Sequence, residues 1–109
     1  ASRYINEIKN PSIVLPHVIE GAEPVWHIFA VRSDRRDELS EFLGKNNIVT
    51  NMHYPTAIHL QECYKDLNIK KGERPIAEEL SLTELSLPIF YGMTEDQISR
   101  VIETVNKFN

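Results

Sequence analysis

Residues 51–64, NMHYPTAIHLQECY, concentrate the side chains of this protein that are able to do chemistry. The segment holds two of the four histidines, the only cysteine and two of the four tyrosines. Imidazole, thiol and phenol groups together suit three kinds of site: a metal centre, a catalytic cysteine, or one wall of a pocket for a polar ligand. The sequence around each group helps to decide between them.

A metal centre would use His59 and Cys63, which are spaced to share one face of a helix. His53 would join them from the end of a preceding strand, and three such ligands with a water would form a catalytic zinc site. The segment contains neither a CxxC nor an HExxH motif, and unconnected polar and core residues explain the same positions. We therefore predict no metal site, and a metal hydrolase is the weakest alternative.

Catalysis by Cys63 is disfavoured by its neighbours in QECYKD. Glu62 and Asp66 place negative charge beside the thiol, whereas a nucleophilic thiolate needs a positive environment. A structural cysteine is the simpler interpretation, and we predict no catalytic residue in this chain. His27, within the apolar sequence PVWHIFAV, is likewise interpreted as structural.

His53 and Tyr54 come immediately before Pro55, at the predicted end of a strand. Proline lacks an N–H and ends the strand, so the two side chains lie where irregular backbone exposes them. Both can hydrogen-bond hydroxyl groups, and tyrosine adds an apolar face, which suits a carbohydrate or a similar polyol. A tyrosine packed beneath the turn is the competing interpretation, and these residues alone leave both open.

Size and composition exclude several broad classes of protein. A chain of 109 residues is enough for a single domain, residues 1–109, with a modest core. The net charge of -4 disfavours nucleic acid, whose phosphates need a clustered basic surface. No apolar run approaches the roughly 20 residues of a membrane helix. A single cysteine cannot form an internal disulfide, so we expect a reducing, cytoplasmic compartment.

Hydrophobic periodicity and the positions of glycine and proline predict the helices and strands that position these side chains. In order they are a helix end, a strand, a helix, a strand, two helices, a strand and a helix, over residues 1–10, 24–31, 34–44, 48–54, 58–67, 75–84, 85–89 and 94–108. Asp34 is the expected N-cap of the first complete helix and Gly44 its stop. Thr94 and Gln97 form a capping box ahead of the last one. This order predicts an α+β two-layer domain, with a short, mainly antiparallel sheet and helices on one face.

Two long stretches together resemble a known family. HYPTAIHLQECYKDL and PIAEELSLTELSLPIFYGMTEDQISRVIETVNKF, with PVWHIFAVR upstream, are similar to the C-terminal segment of the DegT/DnrJ/EryC1/StrS family. Its members are pyridoxal-phosphate (PLP)-dependent sugar aminotransferases with the fold of aspartate aminotransferase, fold type I. The resemblance implies that this chain is the smaller C-terminal domain. A larger domain, absent from these residues, would carry the cofactor and its Schiff-base lysine.

The resemblance also implies a reaction and a set of contacts for the parent enzyme. An amino group would pass from glutamate to a keto-sugar linked to a nucleotide, in cell-surface polysaccharide or deoxysugar synthesis, and the intact enzyme would be a homodimer. His53 and Tyr54 would line the sugar side of the cleft, with His59 near them, all three as substrate-binding residues.

The lysines of this chain do not suit a Schiff base, because they lie in polar sequence with no phosphate cradle nearby: Lys9, Lys45, Lys65, Lys70, Lys71 and Lys107. We therefore expect that this chain alone neither binds PLP nor turns over substrate. A stand-alone α+β binding or regulatory module without catalysis is the main alternative.

Overall fold

The structure is a computed structural model that describes all of residues 1–109. It contains four α-helices, two 3₁₀ helices and one sheet of two antiparallel strands, so the predicted α+β class is confirmed. None of the helices has the length and apolar character that crossing a membrane requires. The α-helices and strands are α1 (Ser2–Glu7), β1 (Phe29–Arg32), α2 (Arg36–Lys45), α3 (Pro75–Thr83), β2 (Glu84–Leu87) and α4 (Glu95–Asn106). The 3₁₀ helices span Ile58–Leu60 and Glu62–Leu67.

The two strands are short and bury a shared apolar face. β1 runs antiparallel to β2, with Phe29 opposite Leu87 and Val31 opposite Leu85. All four side chains are buried, as the two-residue period of a strand predicts for one face. β2 is buried along its whole length, polar residues included. The buried polar residues of β2 are Glu84 and Ser86.

The strand predicted over residues 24–31 is wrong in extent. It begins only at Phe29, because Trp26 has a φ of 50°, in the left-handed region, which interrupts an extended chain. His27 is exposed and lies ahead of the strand, so its predicted place within a buried strand is also wrong.

The strand predicted over residues 48–54 is reduced to a single bridge. Asn51 and Ser86 exchange both backbone hydrogen bonds, with N···O distances of 3.2 and 2.8 Å, and no other residue of the segment joins the sheet. Ile48 is buried in the core. The bridge therefore ties the segment to β2 and leaves the next residues, including His53 and Tyr54, on irregular backbone.

Helix α2 begins and ends differently from its prediction. Arg35, not Asp34, is the N-terminal cap residue, and the helix continues one residue past Gly44. The Ser33 hydroxyl accepts from the Arg35 N–H at 3.2 Å, so serine supplies the polar contact expected of the aspartate. Asn47, with a φ of 58°, adopts the left-handed conformation just after the helix end that was expected at the glycine.

Residues 58–67 form two 3₁₀ helices instead of the single short helix that the sequence predicts. Gln61 between them is extended, with φ -73° and ψ 145°, which prevents one continuous helix. Helix α3 starts at Pro75 as predicted, since proline fits a first turn where its missing N–H is not needed. Glu84, predicted to end this helix, instead begins β2.

Helix α4 has the predicted capping box and ends at Asn106, before the predicted end at residue 108. The Thr94 hydroxyl accepts from the Gln97 N–H at 3.2 Å, and the Gln97 side chain accepts from the Thr94 N–H at 2.9 Å.

Helix α3 contributes no residue to the main core, which leaves its apolar residues free to line a cavity. The core residues are Tyr4, Ile8, Ile13, Phe29, Val31, Leu39, Leu43, Ile48, Leu85, Leu87, Val101, Ile102, Val105 and Phe108.

Candidate ligand-binding site

An open cavity of about 550 Å³ lies between the irregular segment after the bridge and helix α3. Eight of its twelve lining residues are hydrophobic, among them Ile58 and Leu80. The three residues predicted from the sequence, His53, Tyr54 and His59, all line it. A concave, mainly apolar surface with a few convergent polar groups is typical of small-molecule sites.

His53 is held at both its backbone and its ring by buried polar side chains of β2. Its N–H donates to Glu84 Oε2 at 2.6 Å. Its ring Nδ1 lies 2.8 Å from Ser86 Oγ, which in turn donates to Glu84 Oε1 at 2.5 Å. Glu84 and Ser86 are only 7% and 6% exposed, so water competes little for these bonds. The orientation of the imidazole ring is therefore fixed by the sheet.

The second ring nitrogen of His53 lies beside Asn51. The Nε2 atom is 3.2 Å from Asn51 Nδ2, while Asn51 Oδ1 accepts from the Met52 N–H at 2.9 Å. Asn51, His53 and Ser86 also line a smaller cavity of about 240 Å³, and Asn51 is exposed. His53 thus lies between two cavities, buried on the Ser86 side and accessible on the Asn51 side.

Tyr54 is 62% exposed, and its hydroxyl makes no hydrogen bond within the chain. Its ring meets the ring of His53 edge to face, with the centroids 5.5 Å apart and the planes at 79°. This exposure disagrees with a tyrosine packed beneath the turn. Tyr54 therefore presents both an apolar face and a free hydroxyl to the cavity.

His59 has a partner that the sequence did not indicate. Its Nε2 lies 3.1 Å from Glu78 Oε1, and the two side chains are only 9% and 12% exposed. Glu78 also accepts from the N–H groups of Gly72, at 2.8 and 3.0 Å, and Arg74, at 3.3 Å. Burial acts to raise the pKa of the Glu78 carboxyl, but the hydrogen bonds from Gly72, His59 and Arg74 outweigh it and lower the pKa below its usual value. His59 and Glu78 therefore tie the first 3₁₀ helix to helix α3 and to the loop before it.

The metal alternative has no geometric support. Cys63 is exposed, and its closest polar contact is Gln61 Oε1 at 3.9 Å. The structure contains no group of three or more His, Cys, Asp and Glu side chains placed to hold a metal ion. His53 and His59 are engaged by Ser86 and by Glu78 rather than by each other.

Sequence reasoning missed the residues that hold the two histidines in place. Glu84 and Ser86 are two apart in TELSLP, so they share one face of a strand, and this spacing was the signal that could have found them. Glu78 gave no such signal, because it lies 19 residues after His59 and meets it only through the fold.

The residues present do not form a complete site for PLP. All six lysines are exposed, whereas a Schiff-base lysine is ordinarily activated by burial or by a cationic neighbour. The glycines that adopt positive φ, Gly21, Gly72 and Gly92, are separate from one another and build no phosphate cradle. The covalent site that the family resemblance implies is therefore not within these residues.

The model of the DegT/DnrJ/EryC1/StrS aminotransferase family matches residues 1–106. The chain belongs to this family, and the resemblance found in its sequence is confirmed.

A curated relative shows which chemistry occurs within the family. A dTDP-3-amino-3,6-dideoxy-alpha-D-galactopyranose transaminase from Aneurinibacillus thermoaerophilus is 37% identical over 108 residues. The match covers 99% of this chain but only 29% of the relative. The chain thus spans about 29% of the length of the curated relatives that it matches first.

Solved structures give the same fold. S. venezuelae DesV in complex with a ketimine intermediate is 37% identical, with a TM-score of 0.94 over 97% of this chain and 29% of that one. The PLP form of Spr1654 from Streptococcus pneumoniae is 25% identical, with a TM-score of 0.83 over 96% of this chain and 28% of that one.

Proposed function

We propose that this chain is the C-terminal small domain of a PLP-dependent enzyme that transfers an amino group to a nucleotide-linked keto-sugar. In this proposal, the cavity at His53, Tyr54 and His59 is the surface that meets the sugar. One observation carries the proposal: a mixed apolar and hydrogen-bonding cavity lies in the segment HYPTAIH of a chain whose relative is a dTDP-sugar transaminase.

The geometry of the cavity suits a sugar ring. Tyr54 offers an aromatic face to the C–H surface of a pyranose and a hydroxyl to its oxygens. His53 adds a ring whose orientation the sheet fixes, which reduces the entropy lost when a ligand is ordered against it. His59 has only Nδ1 left for a ligand, because Nε2 faces Glu78, so its contribution is the smallest of the three.

The cofactor and this chain have separate tasks in the proposal. When bound, PLP supplies the electron sink for amino-group transfer. This chain binds and orients the sugar and excludes water from its side of the cleft. The larger domain of the parent enzyme carries the lysine and the phosphate site, since the lysines here are all exposed.

The finer assignments extend the family resemblance. Glutamate is the proposed amino donor, and the parent enzyme is proposed to be a homodimer in the cytoplasm, where a lone free cysteine stays reduced. The product would enter cell-surface polysaccharide or deoxysugar synthesis.

The test uses the full-length protein with glutamate, PLP and a dTDP-linked 3-keto-6-deoxy sugar, the keto counterpart of the amino sugar in the relative's name. We expect amino transfer to the sugar with a measurable kcat/KM. Tyr54→Phe should lower kcat/KM, whereas Tyr91→Phe, at an exposed tyrosine outside this cavity, should not. A full-length protein that binds the sugar nucleotide and never transfers an amino group would favour the alternative, a binding or regulatory module.

A further inference from the structure

The polar groups around His53 form one continuous line of hydrogen bonds. The line runs from the Asn51 amide, through both ring nitrogens of His53, to the Ser86 hydroxyl and the Glu84 carboxylate. Its successive distances are 3.2, 2.8 and 2.5 Å. Each group has a fixed set of hydrogens, so the direction of every bond follows from the two ends of the line.

The Glu84 end determines where the Ser86 hydrogen lies. An ionised carboxylate only accepts hydrogen bonds, and Glu84 Oε2 already accepts from the His53 N–H. The single hydrogen of Ser86 Oγ is therefore donated to Glu84 Oε1, and the same oxygen is left to accept from His53. In the neutral ring, Nδ1 of His53 is then the nitrogen that carries the hydrogen.

The Asn51 end gives the same result independently. The Met52 N–H donates to Asn51 Oδ1, so the amide nitrogen is the atom that faces His53. An amide nitrogen donates and does not accept, so His53 Nε2 must be the acceptor and carries no hydrogen. Both ends of the line therefore require the same tautomer, with hydrogen on Nδ1.

We propose that Glu84 and Ser86 are positioning residues that hold His53 as a hydrogen-bond acceptor at Nε2; the functional part of this inference rests on the proposed function, in which His53 binds the sugar. Nδ1 is committed to the buried Ser86, so only Nε2 is open to a ligand. Asn51, whose amide nitrogen now faces Nε2, is exposed, so a ligand donor can reach this position by replacing that one contact. The ligand group that meets His53 is therefore a donor, a hydroxyl or an amino group, rather than a carbonyl or phosphate oxygen.

Glu84→Gln should remove the preference that the Glu84 end gives to the ring, while the Asn51 end keeps its own. The introduced amide must use its oxygen to accept from the His53 N–H, so its NH₂ group faces Ser86 Oγ. Ser86 then accepts from the amide, and its own hydrogen becomes free to turn toward His53 Nδ1. A share of the rings should therefore carry hydrogen on Nε2, which makes His53 a donor there, and the rest should keep hydrogen on Nδ1.

The measurement is ¹⁵N NMR of the full-length protein with labelled histidine, at about pH 8, where histidine side chains are ordinarily neutral. The two ring ¹⁵N shifts show which nitrogen carries hydrogen, and the signals lost in His53→Gln identify this residue. We expect hydrogen on Nδ1 in the wild-type protein and a measurable share of rings with hydrogen on Nε2 in Glu84→Gln. The matched control is Glu79→Gln, at an exposed carboxylate paired with Arg32, and it should keep the wild-type pattern.

A wild-type ring with hydrogen on Nε2 overturns the proposal, and this result needs no variant to fold. An unchanged tautomer in a folded Glu84→Gln protein overturns it as well. Ser86→Ala should give a mixture of tautomers, and Ser86→Thr, which keeps the hydroxyl, should restore hydrogen on Nδ1.

The keto-sugar assay separates this inference from the proposed function. Glu84→Gln and Ser86→Ala should lower kcat/KM by roughly two- to tenfold, the effect of about one hydrogen bond. Ser81→Ala, which removes a hydroxyl from the cavity lining without touching His53, should lower kcat/KM less. If the tautomer populations change in Glu84→Gln while kcat/KM stays at the wild-type value, the line of hydrogen bonds is right and the sugar-binding role of His53 is wrong.

Discussion

Two histidines line the same cavity, and each is close to a glutamate, but the fold uses them in different ways. His59 meets Glu78 directly, through Nε2. His53 reaches Glu84 through its own N–H and, from the ring, through the Ser86 hydroxyl. In His59, the contact with Glu78 occupies Nε2 and holds the loop before α3 in place. In His53, the contact with Ser86 occupies Nδ1, so Nε2 remains beside the exposed amide of Asn51.

The partners of a pocket histidine, and not its place in the pocket, therefore indicate its role. Glu78 collects hydrogen bonds from the loop before α3 as well as from His59, so that pair acts mainly on stability. Glu84 and Ser86 belong to a buried strand and fix a ring that remains accessible on one side. We expect substitutions at the two histidines to separate stability from sugar recognition.

The largest expected effect on activity is at His53. In the full-length protein, His53→Ala should lower kcat/KM for the keto-sugar by roughly tenfold or more, because a fixed hydrogen bond and ring packing are both lost. Steady-state kinetics with the dTDP-linked keto-sugar checks this expectation. His17→Ala, at an exposed loop histidine that lines neither of the two cavities at His53, is the control and should keep the wild-type value.

The corresponding change at His59 should act on stability. We expect His59→Ala to lower the free energy of unfolding by about 1–2 kcal/mol, because a largely buried polar contact and a packed ring are removed. Urea unfolding of the full-length protein measures this loss, with His17→Ala, at an exposed loop histidine, as the control. A fall in kcat/KM for the sugar with no loss of stability would place His59 among the substrate contacts instead.

A smaller effect is expected at Tyr54, where one atom is removed and the ring is kept. Tyr54→Phe should reduce sugar recognition by about 0.5–1.5 kcal/mol, the net value of one hydrogen bond. The measurement is kcat/KM for the keto-sugar beside thermal unfolding of the same variant. If the variant is destabilised while its kinetics with the sugar are unchanged, Tyr54 is a structural residue and its assignment to the pocket is wrong.

The contact between His59 and Glu78 should also have a pH signature. The pKa of Glu78 is lowered in the folded protein, because its hydrogen bonds outweigh the opposing effect of burial. A lowered folded-state pKa means that the stabilisation is present above the usual value of 4.5 and is lost as the pH falls through the folded-state value. The stability difference between the wild-type protein and Glu78→Gln should therefore shrink as the pH falls below 4.5. A difference that grows in acid would contradict the sign of this shift.

The smallest expected effect is an absence of specific binding. The 109-residue chain expressed alone should fold, because the core and the capped helix α4 lie within it, but it should not bind PLP specifically. Titration of PLP, followed by absorbance, should show no more than reaction with exposed lysines. Saturable, stoichiometric binding that survives dilution would show that the cofactor site has been placed in the wrong domain.

Local signals explain which parts of the fold could be predicted from the sequence. Helix α4 is set by its own residues, since a capping box and an apolar stripe need no distant partner. The strand predicted over residues 48–54 depended on a neighbour, and only Asn51 finds one, at Ser86. Alternation in a sequence shows a preference for extended chain, whereas the length of a strand is decided by pairing across the fold.

The candidate site likewise contains residues that local sequence signals could identify and residues that only the fold brings into contact. His53 and Tyr54 could be found because proline after a strand marks an exposed turn, and the family resemblance added His59. Glu78 and Glu84 could not be assigned to these histidines, because their contacts join positions 19 and 31 residues apart. Which ring nitrogen is free was therefore beyond the reach of the sequence.

The most direct test of the sugar-binding role of His53 separates the two halves of amino transfer in the full-length protein. His53→Ala should leave the half-reaction with glutamate at the wild-type rate, since the cofactor and its lysine are proposed to lie in the larger domain. The same variant should slow the half-reaction with the keto-sugar roughly tenfold or more. Single-turnover kinetics measures each half separately. Equal losses in both halves, or no loss with the sugar, would contradict the claim that this cavity is the sugar side of the active site.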